Sequence, residues 1–139
     1  MRRVCNPGGV VAGYVWDFAA QAGPNSPIRF ALQQIGAEPP PSPGTEDSRL
    51  AALTSLFTRG KLTDIATSKI EVTMSFSDFN DYWQSHTPGY TPTGKMIAAL
   101  SESDREKVLA LVRARLPAGP DGGVIHSARA NAIKARVPK

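Results

Sequence analysis

The sequence predicts an α/β fold, and three observations carry that expectation. Val10-Val11-Ala12-Gly13-Tyr14-Val15-Trp16 is apolar at nearly every position. Lys69-Ile70-Glu71-Val72-Thr73-Met74-Ser75-Phe76 alternates polar and apolar residues. Around these stretches lie segments whose apolar residues recur at helical spacing. A continuous apolar run bounded by turn residues reads as a strand buried on both faces. Such strands belong mostly to parallel sheets covered by helices, which favours helix-and-sheet layers over a sandwich.

The elements follow in order. Pro7-Gly8-Gly9 turns the chain into the first strand, 10–16, and Asp17-Phe18 ends it. A loop runs through Gly23-Pro24-Asn25. Ser26 then suits an N-cap with Pro27 at the first helical position, and Ile28, Leu32 and Ile35 form an apolar stripe. Pro39-Pro40-Pro41-Ser42-Pro43-Gly44 reads as a stiff, extended, exposed internal loop. A helix fits Asp47 to Arg59, with Leu50, Leu53, Leu56 and Phe57 inward and Gly60 as C-cap. The second strand, 69–76, places Ile70, Val72, Met74 and Phe76 on one face. Ser77-Asp78-Phe79 opens a short helix that Pro88-Gly89 stops. Helix signals return at Thr93–Leu100 and strengthen at Ser101–Leu116, where Ser101 through Asp104 forms a capping box. Val108, Leu109, Val112 and Leu116 supply its core face. Pro117 to Gly123 is a turn. The last strand, 124–135, sets Val124, His126, Ala128, Ala130 and Ala132 against Ile125, Ser127, Arg129, Asn131 and Ile133.

Composition bounds the function. A chain of 139 residues suits one domain. Twelve Gly and twelve Pro favour a loop-rich domain over a helical rod. The single cysteine, Cys5, excludes an internal disulfide framework and a Cys-rich zinc site, and suits a cytoplasmic setting. No apolar run reaches the roughly 20 residues of a membrane span. Met1 to Pro7 is basic but lacks the apolar stretch of a signal peptide. The net charge of +4 divides evenly between the two halves of the chain. Only the tail is lopsided, with Arg113, Arg115, Arg129, Lys134, Arg136 and Lys139 against Asp121. A solvated basic tail explains that better than nucleic-acid binding.

Catalytic signals are sparse. His86 and His126 have no carboxylate at ligand spacing, so no metal site is expected. Cys5 lies near Arg2 and Arg3, yet a lone thiol near a terminus reads as incidental. Neither a nucleophile elbow nor a phosphate-binding loop occurs. Two features remain open. Asp17 follows Tyr14 and Trp16 at the carboxyl end of a strand, where open α/β sheets bind ligands; it equally suits a cap for the following loop. Phe79, Tyr82 and Trp83 share a helix face, as core packing or as the wall of a pocket for a flat or apolar substrate.

The ordered set of motifs resembles class I S-adenosylmethionine-dependent methyltransferases. Arg3-Val4 before Pro7-Gly8-Gly9-Val10-Val11, then Tyr14-Val15-Trp16-Asp17, looks like their fifth-strand region. Phe76-Ser77-Asp78-Phe79-Asn80-Asp81-Tyr82-Trp83 looks like the segment after the sixth strand in the small-molecule branch. Asp121-Gly122-Gly123, Ser127-Ala128-Arg129-Ala130 and Arg136-Val137-Pro138 look like the terminal hairpin. The resemblance runs over nearly all of the chain but covers only the carboxyl-terminal half of the family domain. The family's Gly-rich first turn and its ribose-binding acid have no counterpart here.

That resemblance implies a single partial Rossmann-like domain over 1–139, with a small three-stranded mixed sheet and flanking helices, about five in number. It places the last strand antiparallel between the other two. It implies an inherited methyl transfer to a small molecule, incomplete in this chain alone. Tyr14, Trp16, Asp17, Tyr82 and Trp83 become substrate-side candidates. S-adenosylmethionine is the family's cofactor, but no residue here is assigned to bind it. The first strand would keep one bare edge, to be covered by a second copy in a homodimer or by a chain supplying the amino-terminal half. The alternative is a non-catalytic interaction or ligand-binding module that dimerises through that edge.

Overall fold

The computed structural model describes residues 2–139, without the side chains of Arg2 and Pro120. Met1, read above as part of a poor signal sequence, lies outside the described residues, as does the Arg2 side chain beside Cys5. The strands are β1 (Val10–Trp16), β2 (Thr63–Phe76) and β3 (Val124–Arg136). The α-helices are α1 (Ser26–Gln34), α2 (Leu50–Arg59), α3 (Phe79–His86), α4 (Pro92–Ala98) and α5 (Glu102–Arg115). Among the described residues the protein is thus α/β with five α-helices and a three-stranded sheet.

The sheet order is β1-β3-β2, so the last strand is central. β1 pairs antiparallel with β3 in a register running from Val10 opposite Arg136 to Trp16 opposite Ala130. β2 runs antiparallel to β3 as well: Thr63 Oγ1 donates to the Arg136 carbonyl, and Thr73 Oγ1 lies 3.4 Å from Ser127 Oγ. The expected mixed sheet is therefore corrected to an antiparallel one. A central strand that opposes both neighbours leaves no adjacent parallel pair.

The chain forms two compact units. Unit one comprises Met1–Gly23, Ser42–Val72 and Ala128–Lys139, and unit two comprises Pro24–Pro41 and Thr73–Ser127. In unit one, Val11, Phe57, Ile133, Ala135 and Val137 form the core, with Cys5, Leu53, Leu62 and Ile65 packed against it. α2 therefore covers one face of this part of the sheet. The other face is open: Val10 is 56% exposed and Tyr14 80% exposed. This corrects the expectation that β1 is buried on both faces. Its odd-numbered residues face the core and its even-numbered ones face solvent, and apolar side chains on both faces hid that alternation.

In unit two, Ile28, Ala31 and Leu32 of α1 pack with Tyr82, Ile97, Val108, Val112, Leu116 and Val124. Phe76, Phe79 and Trp83 lie partly buried against them. The Arg115 guanidinium sits 3.7 Å from the Phe30 ring centre and that of Arg113 4.3 Å from Phe79, cation–π contacts that let basic stems cover aromatic surface.

Local rules set most boundaries. Asp78 and Ser101 cap α3 and α5, accepting from the N–H groups of Asp81 and Asp104. Thr91 caps α4, which begins at Pro92. The expected Ser26 N-cap is corrected to Asn25, which makes no side-chain capping bond. The helix expected from Asp47 begins at Leu50, because Glu46–Ser48 form a separate 3-10 turn. The second strand starts at Thr63, not Lys69. Along β3 the buried positions are even-numbered at 124, 128 and 130 but odd-numbered at 131, 133 and 135, which corrects the fixed two-face division. Pro39 is buried while Pro40, Pro41 and Pro43 are exposed, and Arg29 Nη1 donates to the Pro40 carbonyl at 2.8 Å.

Leu32→Ala should cost about 2–5 kcal/mol through the cavity it leaves, and Ser101→Ala about 1 kcal/mol through the lost cap. Urea unfolding followed by circular dichroism checks both; equal effects would contradict the core assignment.

Candidate functional site

The carboxyl end of β1 is closed by a polar lock within unit one. Asp17 Oδ2 accepts from Arg129 Nε at 3.1 Å and Nη2 at 2.9 Å. Asp17 Oδ1 accepts from the Ala20 N–H at 3.2 Å. The Asp17 side chain is only 8% exposed and that of Arg129 27%. The ladder supplies the rest: the Asp17 N–H donates to the Arg129 carbonyl, the Arg129 N–H to Ala22, and the Ala22 N–H to Asp17. Both carboxylate oxygens are engaged, so Asp17 serves as the loop cap anticipated for it and as an ion-pair partner.

Ser48 extends the lock. Its buried hydroxyl accepts from the Ala19 N–H at 3.1 Å and donates to the Thr45 carbonyl at 2.6 Å. Its own carbonyl accepts from Asn131 Nδ2 at 2.9 Å. Asn131 Oδ1 is buried with no hydrogen-bond partner among the described residues, a cost the fold carries. Arg129, Ser48 and Asn131 were not singled out from sequence. Their signal was faint: a charge and an amide at alternate positions, 129 and 131, of a strand otherwise rich in alanine.

The open face of the unit-one sheet holds a trough of about 770 Å³. Ala12, Ala66 and Ala132 line it, together with Tyr14, Ser68 and Lys134. Small side chains on three adjacent strands create the depression. Arg136 and Asp64 line a second, smaller depression with N···O 3.9 Å, a loose and exposed pair.

The five candidates are divided between the two units. Tyr14, Trp16 and Asp17 belong to unit one, where Tyr14 lines the trough, Trp16 is half-buried and Asp17 is locked. Tyr82 and Trp83 belong to unit two. Tyr82 is fully buried, its hydroxyl donates to the Pro24 carbonyl at 3.3 Å, and its ring meets Phe76 edge-on. Trp83 stacks on Phe79. The aromatic stripe is thus part of the unit-two core. His86 Nδ1 lies 2.8 Å from the Tyr82 carbonyl at the end of α3, and its ring stacks on Tyr82. Burial pushes the Tyr82 phenol well above the usual tyrosine range.

No protein-family model matches the chain, and no curated protein matches it significantly. Among the described residues no helix is long and apolar enough to cross a membrane.

Two outcomes test this geometry. Asp17→Ala strands a partly buried guanidinium, and solvent at Arg129 holds the expected loss to about 2 kcal/mol; an unchanged denaturation midpoint would rule out the lock. The raised Tyr82 pKa means the neutral phenol is the folded form. Its stabilisation is complete below the unfolded value of about 10 and is lost as pH rises beyond it. Urea midpoints should fall above that pH in the parent chain and less in Tyr82→Phe.

Proposed function

We propose that this chain corresponds to the carboxyl-terminal half of a class I methyltransferase-type domain of the small-molecule branch, and that it contributes to methyl transfer only together with the glycine-rich half of such a domain. The strand order carries this reading. A last strand inserted antiparallel between two earlier ones, with order β1-β3-β2, is what the resemblance implies. Pro7-Gly8-Gly9 leading into β1 adds support: Gly8 has φ +77°, a conformation suited to glycine.

The residues present do not by themselves fit S-adenosylmethionine. That cofactor needs a carboxylate free to accept from ribose hydroxyls and a glycine-rich turn that admits its methionine end. Asp17, the carboxylate at the end of β1, has both oxygens engaged. No step is therefore routed through this chain alone. Its share of the chemistry is positional: it extends the sheet and presents a substrate-side wall, and holding the reactants in line is the main requirement of such a transfer.

The second reading is a non-catalytic module that associates through the edge of β1. The place of β1 at the end of the strand order, with its outer side unpaired, favours it.

Calorimetry separates the two. The isolated chain should give no heat with S-adenosylhomocysteine at millimolar concentration. Co-expression with a glycine-rich amino-terminal half of a class I methyltransferase should restore micromolar binding. Micromolar binding by the chain alone would overturn the split-site reading. No binding in either preparation would leave the module.

A further inference from the structure

We infer that β1 is an assembly edge for a second copy of this chain, paired antiparallel about a two-fold axis at Gly13. This deepens the module reading and does not depend on methyl transfer.

The ladder shows which backbone groups are free. The Asp17 N–H donates to the Arg129 carbonyl and the Val137 N–H to the Gly9 carbonyl, in the same register as the β1–β3 pairs. In an antiparallel ladder such opposite residues exchange both bonds, and successive residues alternate sides. Odd-numbered residues of β1 therefore bond β3. Val10, Ala12, Tyr14 and Trp16 direct their N–H and C=O groups to the outer edge. Only the Trp16 carbonyl is already engaged, by the Phe18 N–H at 2.7 Å.

The two sheet edges are unlike. β2 carries Asp64, Lys69 and Glu71, and Asp64 adopts φ 52°, which disturbs regular pairing. Charges and kinks of this kind keep an edge from joining another chain. β1 has no charged residue and no proline from Val10 to Trp16. Its edge is thus the one electrostatically suited to its own copy: self-pairing brings no like charges together.

The free groups also fix the register. Pairing centred on Gly13 sets Val10 opposite the partner's Trp16 and Ala12 opposite the partner's Tyr14. Even residues meet even residues, so the outward groups of Ala12 and Tyr14 find mates, and at the ends only the Trp16 carbonyl, held by Phe18, is already engaged. Large side chains meet smaller ones, and Val11 meets the partner's Val15. The two Gly13 residues meet as a non-hydrogen-bonded pair, where Cα atoms lie about 4.5 Å apart. A Cβ added at Gly13 meets nothing within 4 Å. A strand contact of this size falls below the roughly 800 Å² per partner of a standard interface, so association should depend on concentration.

The test uses the full chain with Cys5→Ser as background. Gly13→Cys should oxidise to a disulfide-linked dimer, because that separation falls within disulfide range. Tyr14→Lys, on a highly exposed side chain, should weaken the dimer about tenfold in sedimentation equilibrium through diagonal repulsion across the axis, with circular dichroism unchanged. Faster cross-linking of Ala12→Cys or Tyr14→Cys would overturn the register. A parent chain that stays monomeric at millimolar concentration would overturn the proposal, whatever the calorimetry gives.

Discussion

Backbone pairing along β3 is the constraint on which the other strands depend. β1 and β2 are separated by more than forty residues of sequence, and neither bonds the other. Each obtains its ladder from β3, which arrives last in the chain. Until Val124–Arg136 is in place, the buried backbone groups of both earlier strands lack partners. The sequence separation of these contacts predicts slow, late sheet formation relative to the local α1 and α5 helices.

The polar lock at the end of β1 illustrates how a residue in a ligand-prone position can be fully used by structure. Asp17 sits where α/β sheets often hold ligands, yet its two oxygens are engaged by Arg129 and the Ala20 N–H. A carboxylate so engaged has no oxygen left over for a ligand. Its role is to close the loop to Ala22, together with Ser48 and Asn131.

Some of this organisation is determined by sequence alone. The first strand falls at 10–16 because turn residues bound an uninterrupted apolar run, and α3 and α5 start where Asp78 and Ser101 offer side-chain oxygens to free N–H groups. The motif order also anticipated the central position of the last strand. These features are local, or linked to a pattern of known connection, and they need no knowledge of what packs where.

Tertiary structure decided the remainder. Nothing in Val10–Trp16 says that only its odd residues are covered, because valine, alanine and tyrosine read alike on either face; the packing of Phe57 and Leu53 makes that choice. The buried side of β3 changes between Ala130 and Asn131, which strict alternation has no means to foretell. Asp17 and Arg129 stand 112 positions apart in the chain. Their pairing follows from the register that sets residue 17 beside 129, and register is a property of the assembled sheet. Turns, caps and periodicity in the sequence marked most strands and helices, though not the starts of β2 and α2; only the folded sheet decided which faces are covered and which charges meet, because those depend on long-range pairing.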